Sequence, residues 1–287
     1  MKKALSLTLT LALALMMIFT LASCKPTPQE PVVKIVDVKL TDEEYAFVCK
    51  KNNTALVEGF NAFLAEIKEN GDFQKYVDKY FKGTGEKQGF SVTTTDVTNT
   101  DTNLVVVTNC PFEPFEYIGD DGKIYGLDIE IAAAYAESKG LDLVIKNIGF
   151  DDIFTQVEAG YADIGMAGIT VSADRAAIYD FTDTYYNASQ KIIVAAGNTD
   201  FDNCKTVADV ENVLKALEGK KVGYQTGTTG GMYVNGDADW GYDGFANLEG
   251  KGYATAQDAI TDLINGNIYA VVVDEAPGAA LVAAANG

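Results

Sequence analysis

Histidine is absent from the chain, and with it the side chain that most often serves as general base, metal ligand and partner of a serine or cysteine nucleophile. The familiar hydrolase chemistries are thereby disfavoured. Basic residues are also scarce: 22 lysines and arginines stand against 41 aspartates and glutamates, a formal charge of -19. Such a field repels nucleic acid and anionic lipid headgroups, so neither is expected as a partner. Cysteine is limited to Cys24, Cys49, Cys110 and Cys204. Without Cys24 an odd number remains, and none of them forms a CxxC pair. Free thiols are therefore expected, with no disulfide framework, structural zinc or other metal or cofactor. Cys110, with no histidine to activate it, reads as a small pocket or core residue.

Long apolar runs are confined to the beginning of the chain. Lys2 and Lys3 precede an apolar stretch from Ala4 to Leu21 that is short for a membrane span and ends in Leu21-Ala22-Ser23-Cys24. That order resembles a bacterial lipobox. The resemblance implies a signal peptide over 1–23 and lipidation of Cys24, which holds the protein on the outer face of the cell membrane. A polar, proline-containing spacer follows over 24–31.

What remains has the content of folded α/β material, 47% apolar over 287 residues. Leu56, Phe60, Phe63, Leu64 and Ile67 recur at helical spacing, Asn70-Gly71 interrupts the pattern, and a second short helix is predicted from Phe73 to Phe81. The stretch 83–103 is rich in Thr, Gly, Asp and Asn and reads as a linker. Strands are then predicted at Leu104–Thr108, Leu143–Lys146 and Ala162–Met166, alternating with helices near Ile129–Lys139 and Ile153–Ala159 and a short helix from Ala173. After Asn198 come a strand at Lys221–Tyr224, a helix near Ala256–Leu263 and a strand at Tyr269–Val273. The alternation predicts two α/β lobes with largely parallel sheets, joined by a crossing at Gln190–Ala195.

In open α/β sheets, ligands lie beyond the carboxyl ends of the strands. The residues there are Asn109, Cys110 and Phe112; Phe150; Gly168, Ile169 and Thr170; Gln225, Thr226, Gly227, Thr228 and Thr229; and Asp274. They supply amides, hydroxyls, aromatic rings and one carboxylate, and no catalytic pair. Arg175 stands out because it is the single arginine among 22 basic residues. In a chain that meets its other needs with lysine, one guanidinium points to a task requiring a planar, bidentate fork, such as gripping a carboxylate. Ser172 reads as the N-cap of its helix, so the cation sits in a first turn where it opposes the helix dipole and where a bound anion relieves that opposition. Asp274, ending an apolar strand, needs either a cation beside it or a role as N-cap of a helix starting near Pro277. Opposite charges a short distance apart would fit the zwitterion of an α-amino acid. The run Gly227-Thr228-Thr229-Gly230-Gly231 lacks the lysine of a phosphate loop and fits better as a helix start that receives a carboxylate.

At this point a family comes into view. Pro111-Phe112-Glu113-Pro114-Phe115-Glu116-Tyr117, Gly126-Leu127-Asp128-Ile129-Glu130-Ile131-Ala132, Gly168-Ile169-Thr170-Val171-Ser172-Ala173-Asp174-Arg175, Tyr179-Asp180-Phe181-Thr182, Val222-Gly223-Tyr224-Gln225-Thr226-Gly227-Thr228-Thr229 and Val273-Asp274-Glu275-Ala276-Pro277 resemble the polar amino-acid solute-binding proteins of bacterial ABC transporters. The resemblance implies two Rossmann-like α/β lobes of the periplasmic binding protein type II fold, with a ligand cleft between them. It implies that Arg175 grips an α-carboxylate with Thr170 and Thr229, while Asp274 and the Gly168 carbonyl take the α-amino group. Phe112 and Phe150 would sandwich the side chain, and Asn109, Gln225 and Thr228 would border it. Free L-amino acid is the expected ligand, an ABC transporter permease the expected partner, and a monomer the expected state. The uncharged Asn109 and Gln225 lean toward a neutral or polar ligand, with Asp128 or Glu113 available to a basic one. An amino-acid sensor or a dehydratase-like enzyme is the alternative use of the fold.

The order of segments departs from the family. Thr41 to Val48 and the helices ending in Tyr76-Val77-Asp78-Lys79-Tyr80-Phe81 resemble the segment that normally closes such proteins, yet they precede Leu104. A circular permutation is the simplest account, with 83–103 bridging the former ends, which exposed termini tolerate. It predicts one lobe over 41–192 and the other over 32–40 and 193–287, with Val33–Val38 paired to the second lobe's sheet and Tyr45–Val48 crossing between them.

Overall fold

A computed structural model describes residues 30–95, 97 and 101–287. The expected signal peptide and Cys24, like most of the spacer and part of the linker, lie outside the described residues. The first sheet is built on β4 (Asn103–Thr108), whose Leu-Val-Val-Val run is buried on both faces as a parallel strand between helices requires. On one side β4 pairs in parallel with β7 (Asp142–Asn147), and on the other with β8 (Ile164–Gly165). An antiparallel strand, β3 (Val48–Cys49), lies between β8 and β9 (Asp180–Phe181), giving the order β7-β4-β8-β3-β9. A chain segment from before the first α/β unit thus completes the sheet.

The helices of this half form as their spacing dictates. α1 (Thr54–Glu69) buries Phe60, Phe63, Leu64 and Ile67 on one stripe, and α2 (Asp72–Phe81) follows after Gly71 takes a left-handed turn. Phe60 lies flat on Tyr135 of α3 (Leu127–Lys139), with ring centroids 3.7 Å apart, and meets Phe47 edge-on. α4 (Phe150–Ala159) covers the opposite face, burying Ile153 and Val157. Short strands β5 (Tyr117–Ile118) and β6 (Ile124–Tyr125) form a hairpin after the turn that carries Phe112. The Thr-rich stretch expected as a linker is not free along its described part: Phe90 bridges to Ile124 and Val92 to Ile145, and both rest against a small cluster with Ile129.

The second sheet has the order β1 (Val33–Ile35), β11 (Gln190–Ala195), β14 (Ala270–Asp274), β12 (Lys221–Gln225), β13 (Glu249–Tyr253). β12 is parallel to β13 and β14, and β11 runs antiparallel to β14. β1 pairs antiparallel with β11, so the Val33–Val38 segment is held in this sheet, although the strand itself ends at Ile35. All of β11 belongs to the second sheet. The passage from one sheet to the other therefore comes before Gln190 instead of within 190–195, and β2 (Glu43–Tyr45) and β10 (Tyr186–Ala188) run side by side there. α6 (Val207–Ala216) and β13 are additional to the elements predicted. α6 has a capping box between Thr206 and Asp209, whereas β13 is an edge strand whose Glu-Gly-Lys-Gly-Tyr sequence has little strand propensity. α8 (Ala256–Ile264) packs against β12 and β14, and α9 (Glu275–Asn286) closes the described chain, its Asn286 side chain bonding Val33 of β1.

Candidate functional site

Between the two sheets lies a small cavity. Asn109, Phe112, Phe150, Gly168, Thr170 and Arg175 line it from the first half, and Gln225, Thr228, Thr229 and Asp274 from the second, so every expected residue outside the leader borders one space. Glu116 and Ala167 complete the lining.

Arg175 sits on α5 (Ala173–Ile178), which begins where the sequence indicated: Ser172 is extended and its hydroxyl accepts from the Arg175 backbone N–H. The guanidinium is buried, donating from Nη1 to the Thr170 carbonyl at 2.8 Å and from Nη2 to the Gly227 carbonyl at 3.1 Å. The second bond reaches the loop after β12 and ties one half to the other. Phe154 and Trp240 lie 4.9 and 5.0 Å from the guanidinium carbon, with Phe150 at 5.9 Å, so aromatic faces enclose it. Among the described residues no carboxylate forms an ion pair with it. Burial lowers its pKa to about 10, opposed by the charges of Asp174, Glu43, Asp151 and Asp274, so it remains a cation at neutral pH.

Asp274 ends β14 at the N-cap position of α9, which starts at Glu275, ahead of Pro277. Its side chain makes no capping bond and accepts from the Tyr45 hydroxyl instead. Burial, and secondly the charge of Glu43, raise its pKa from 3.8 to about 7. A cation arriving beside it would restore the charged form, so the group is placed to prefer an ammonium. Glu43 is itself buried and accepts from Thr41 Oγ1 at 2.6 Å and Thr170 Oγ1 at 2.7 Å. Thr229 Oγ1 and Thr170 Oγ1 face each other at 3.4 Å from opposite halves.

The remaining wall is also shared. Gln225 Nε2 donates to Asn109 Oδ1 at 2.7 Å across the cleft, and Asn109 Nδ2 donates to the Ile148 carbonyl. Thr228 is the N-cap residue of α7 (Thr229–Asn235), though its hydroxyl donates back to the Gln225 carbonyl. Two glycines are fixed by close approach. A Cβ on Gly168 (φ 54°) would stand 2.5 Å from the Phe112 ring, and one on Gly227 (φ 78°) would stand 1.7 Å from an Asp151 oxygen. Cys110 is partly buried and unpaired, and burial raises its thiol pKa well beyond the usual range, which makes it a poor nucleophile. Among the described residues no cluster of His, Cys, Asp and Glu could hold a metal ion.

Glu43, Tyr45, Glu116 and Trp240 were not anticipated at the site. The first two reach Asp274 and Thr170 from more than a hundred residues away in sequence, a distance that no local pattern spans. Trp240 carried one usable signal, being the only tryptophan in the chain.

Two α/β lobes with a cavity between them, lined from both sides and crossed by hydrogen bonds that join the halves, define the class of fold. The chain belongs to the bacterial extracellular solute-binding proteins, family 3, which it matches over residues 104–275. It is 30% identical to a probable histidine-binding protein of Neisseria gonorrhoeae over 171 residues, 60% of this chain and 58% of that protein. It is 29% identical to ABC transporter arginine-binding protein 1 of Escherichia coli (strain K12) over 165 residues, 58% of this chain and 60% of that protein. The chain thus spans about three-fifths of the length of these curated relatives. Among solved structures, an ancestral arginine-binding protein bound to arginine superposes with a TM-score of 0.55 at 32% identity, covering 65% of this chain and 76% of that one. The arginine-bound, truncated ArgBP from T. maritima gives 0.54 at 29%, covering 63% and 78%.

Proposed function

We propose that this protein captures a free L-amino acid outside the cytoplasm and delivers it to an ABC transporter permease, held at the membrane by a lipid on Cys24. The observation that carries the reading is the pairing of Arg175, buried without an anionic partner among the described residues, with Asp274, a buried carboxyl whose pKa is raised to about 7, on opposite sides of one cavity. An α-carboxylate at the guanidinium and an α-ammonium at Asp274 would satisfy both. Thr170 and Thr229 would assist at the carboxylate, the Gly168 carbonyl at the ammonium, and Phe112 and Phe150 would flank the side chain. The ligand would strengthen bonds that already join the halves, favouring closure by differential contact, a change a permease can sense. Relatives named for histidine, arginine and cystine binding support the ligand class. Attachment by lipid rests on the Leu21-Ala22-Ser23-Cys24 sequence alone, and no described helix is long and apolar enough to cross a membrane.

A circularly permuted arrangement accompanies this reading. Its support is that the family match begins at residue 104 while β3, α1 and α2, earlier in the chain, complete the same half. The passage between halves then falls near β2 and β10. Isothermal calorimetry of the monomeric protein against each standard amino acid, with chromatography of the mixtures after overnight incubation, tests the function. Saturable heat with unchanged ligand is the expected result; conversion of a ligand to product would point to an enzyme, and no binding at all would remove the proposal.

A further inference from the structure

Glu116 is fully buried, lines the cavity, and both oxygens of its carboxyl group lack any hydrogen-bond partner among the described residues. A buried carboxyl normally finds partners, and leaving one without them is costly. Its position is fixed by the turn around it: the Phe112 N–H donates to the Glu116 carbonyl at 2.7 Å and the Glu116 N–H to the Phe112 carbonyl at 3.2 Å. Three ionisable side chains line the cavity, namely Arg175, Asp274 and Glu116. A zwitterionic backbone answers the first two and leaves the third.

We propose that Glu116 sets the substrate class of the cavity, selecting an amino acid whose side chain ends in a cation. The inference rests on the reading of the cavity as an amino-acid site. Other carboxylates expected to serve a basic ligand are occupied or turned away: Asp128 accepts from the Tyr185 hydroxyl at 2.7 Å and from the Gly168 N–H at 3.1 Å, and Glu113 is exposed. The neutral amides that suggested an uncharged ligand hold each other, since Gln225 donates to Asn109. Burial and the nearby charge of Asp128 push the Glu116 carboxyl well above the ordinary carboxylate range, so a side-chain cation is the partner that would return it to its charged form. Phe112 and Phe150, also in the lining, offer faces along which an aliphatic or guanidinium stem can pass.

Calorimetry with matched pairs, L-arginine against L-citrulline and L-lysine against L-norleucine, isolates the terminal charge. In the unaltered protein at least one basic member should bind about 30-fold or more tightly than its neutral counterpart, and Glu116→Gln should shrink that ratio to about 3 or less. Glu116→Met, similar in volume and apolar, provides the same comparison if the amide is not tolerated, with thermal melts reporting folding. Equal affinities within both pairs in the unaltered protein, or a ratio that persists in the folded variants, would overturn the assignment. Neutral amino acids bound preferentially, and lost on Arg175→Lys, would sink the Glu116 assignment and leave the amino-acid site standing. Failure of every amino acid to bind would remove both.

Discussion

The two halves of the molecule share an architecture and differ in what they bury. The first half has an aromatic core, with Tyr45, Phe47, Phe60, Phe63, Phe115, Tyr135 and Tyr185 in one cluster, and buries several ionisable groups, of which Arg175 and Glu116 line the cavity while Glu43 and Asp128 do not. The second half is mostly aliphatic, with Val194, Val222, Val272, Ile193, Ile260 and Leu263, and brings to the cavity hydroxyls, an amide, a backbone carbonyl and the single carboxyl of Asp274. Large rings stacked on a sheet fix neighbouring polar groups firmly, which suits a half that must keep a desolvated guanidinium and several carboxyls apart without rearrangement. A face built from hydroxyls and backbone can engage and release at lower cost. Under the proposed amino-acid binding, recognition would fall mainly to the first half and closure to the second.

The largest effect that would break this comparison concerns the aromatic core. Replacing Phe60, fully buried and stacked on Tyr135, with alanine should lower unfolding free energy by about 3–5 kcal/mol in denaturant titrations. A loss no larger than that of an aliphatic truncation would deny the rings their special part. Next in size, Arg175→Lys should weaken amino-acid binding by about 2–5 kcal/mol in calorimetry, because an ammonium cannot replace the bidentate fork that also holds Gly227. Retained affinity would move recognition elsewhere.

A titration sharpens the contribution of the second half. Asp274 and Asp128 both have folded-state pKa values raised from 3.8 to about 7, chiefly by burial. A raised acid favours the folded state most below about pH 4 and loses that contribution as pH climbs through about 7. Melts of the ligand-free protein should therefore fall over that window. An ammonium ligand prefers ionised Asp274, so affinity should strengthen over the same window and level off above it. Asp274→Asn should flatten the affinity profile of an amino acid with a neutral side chain, while the slopes owed to Asp128 and Glu116 remain in the melts. The smallest expected effect is Ile193→Val in the aliphatic core, about 0.5–1.5 kcal/mol of stability.

Much of this could be read along the chain. Apolar periodicity marked α1 and β4, the Ser172 cap placed Arg175 at the start of a helix, and the end of β14 exposed Asp274 to the cleft. Those features arise from local rules of spacing, capping and strand polarity, which act over a few residues. β13 escaped because glycine and lysine at a sheet edge give no strand pattern, and Gln190–Ala195, expected as a crossing, lies wholly in the second sheet because an apolar run does not say which sheet it joins.

By its own composition the sequence left no histidine for catalysis, argued against nucleic-acid binding through its net negative charge, and singled out one guanidinium for an unusual task. Only the tertiary structure decided that Tyr45 would hold Asp274, that Gly227 would answer Arg175, that Asn109 and Gln225 would satisfy each other, and that Glu116 would be left without a partner. Each of these is a pairing, or the lack of one, between segments far apart along the chain. Desolvation depends on what surrounds a group in space, and that is fixed when the two halves come together.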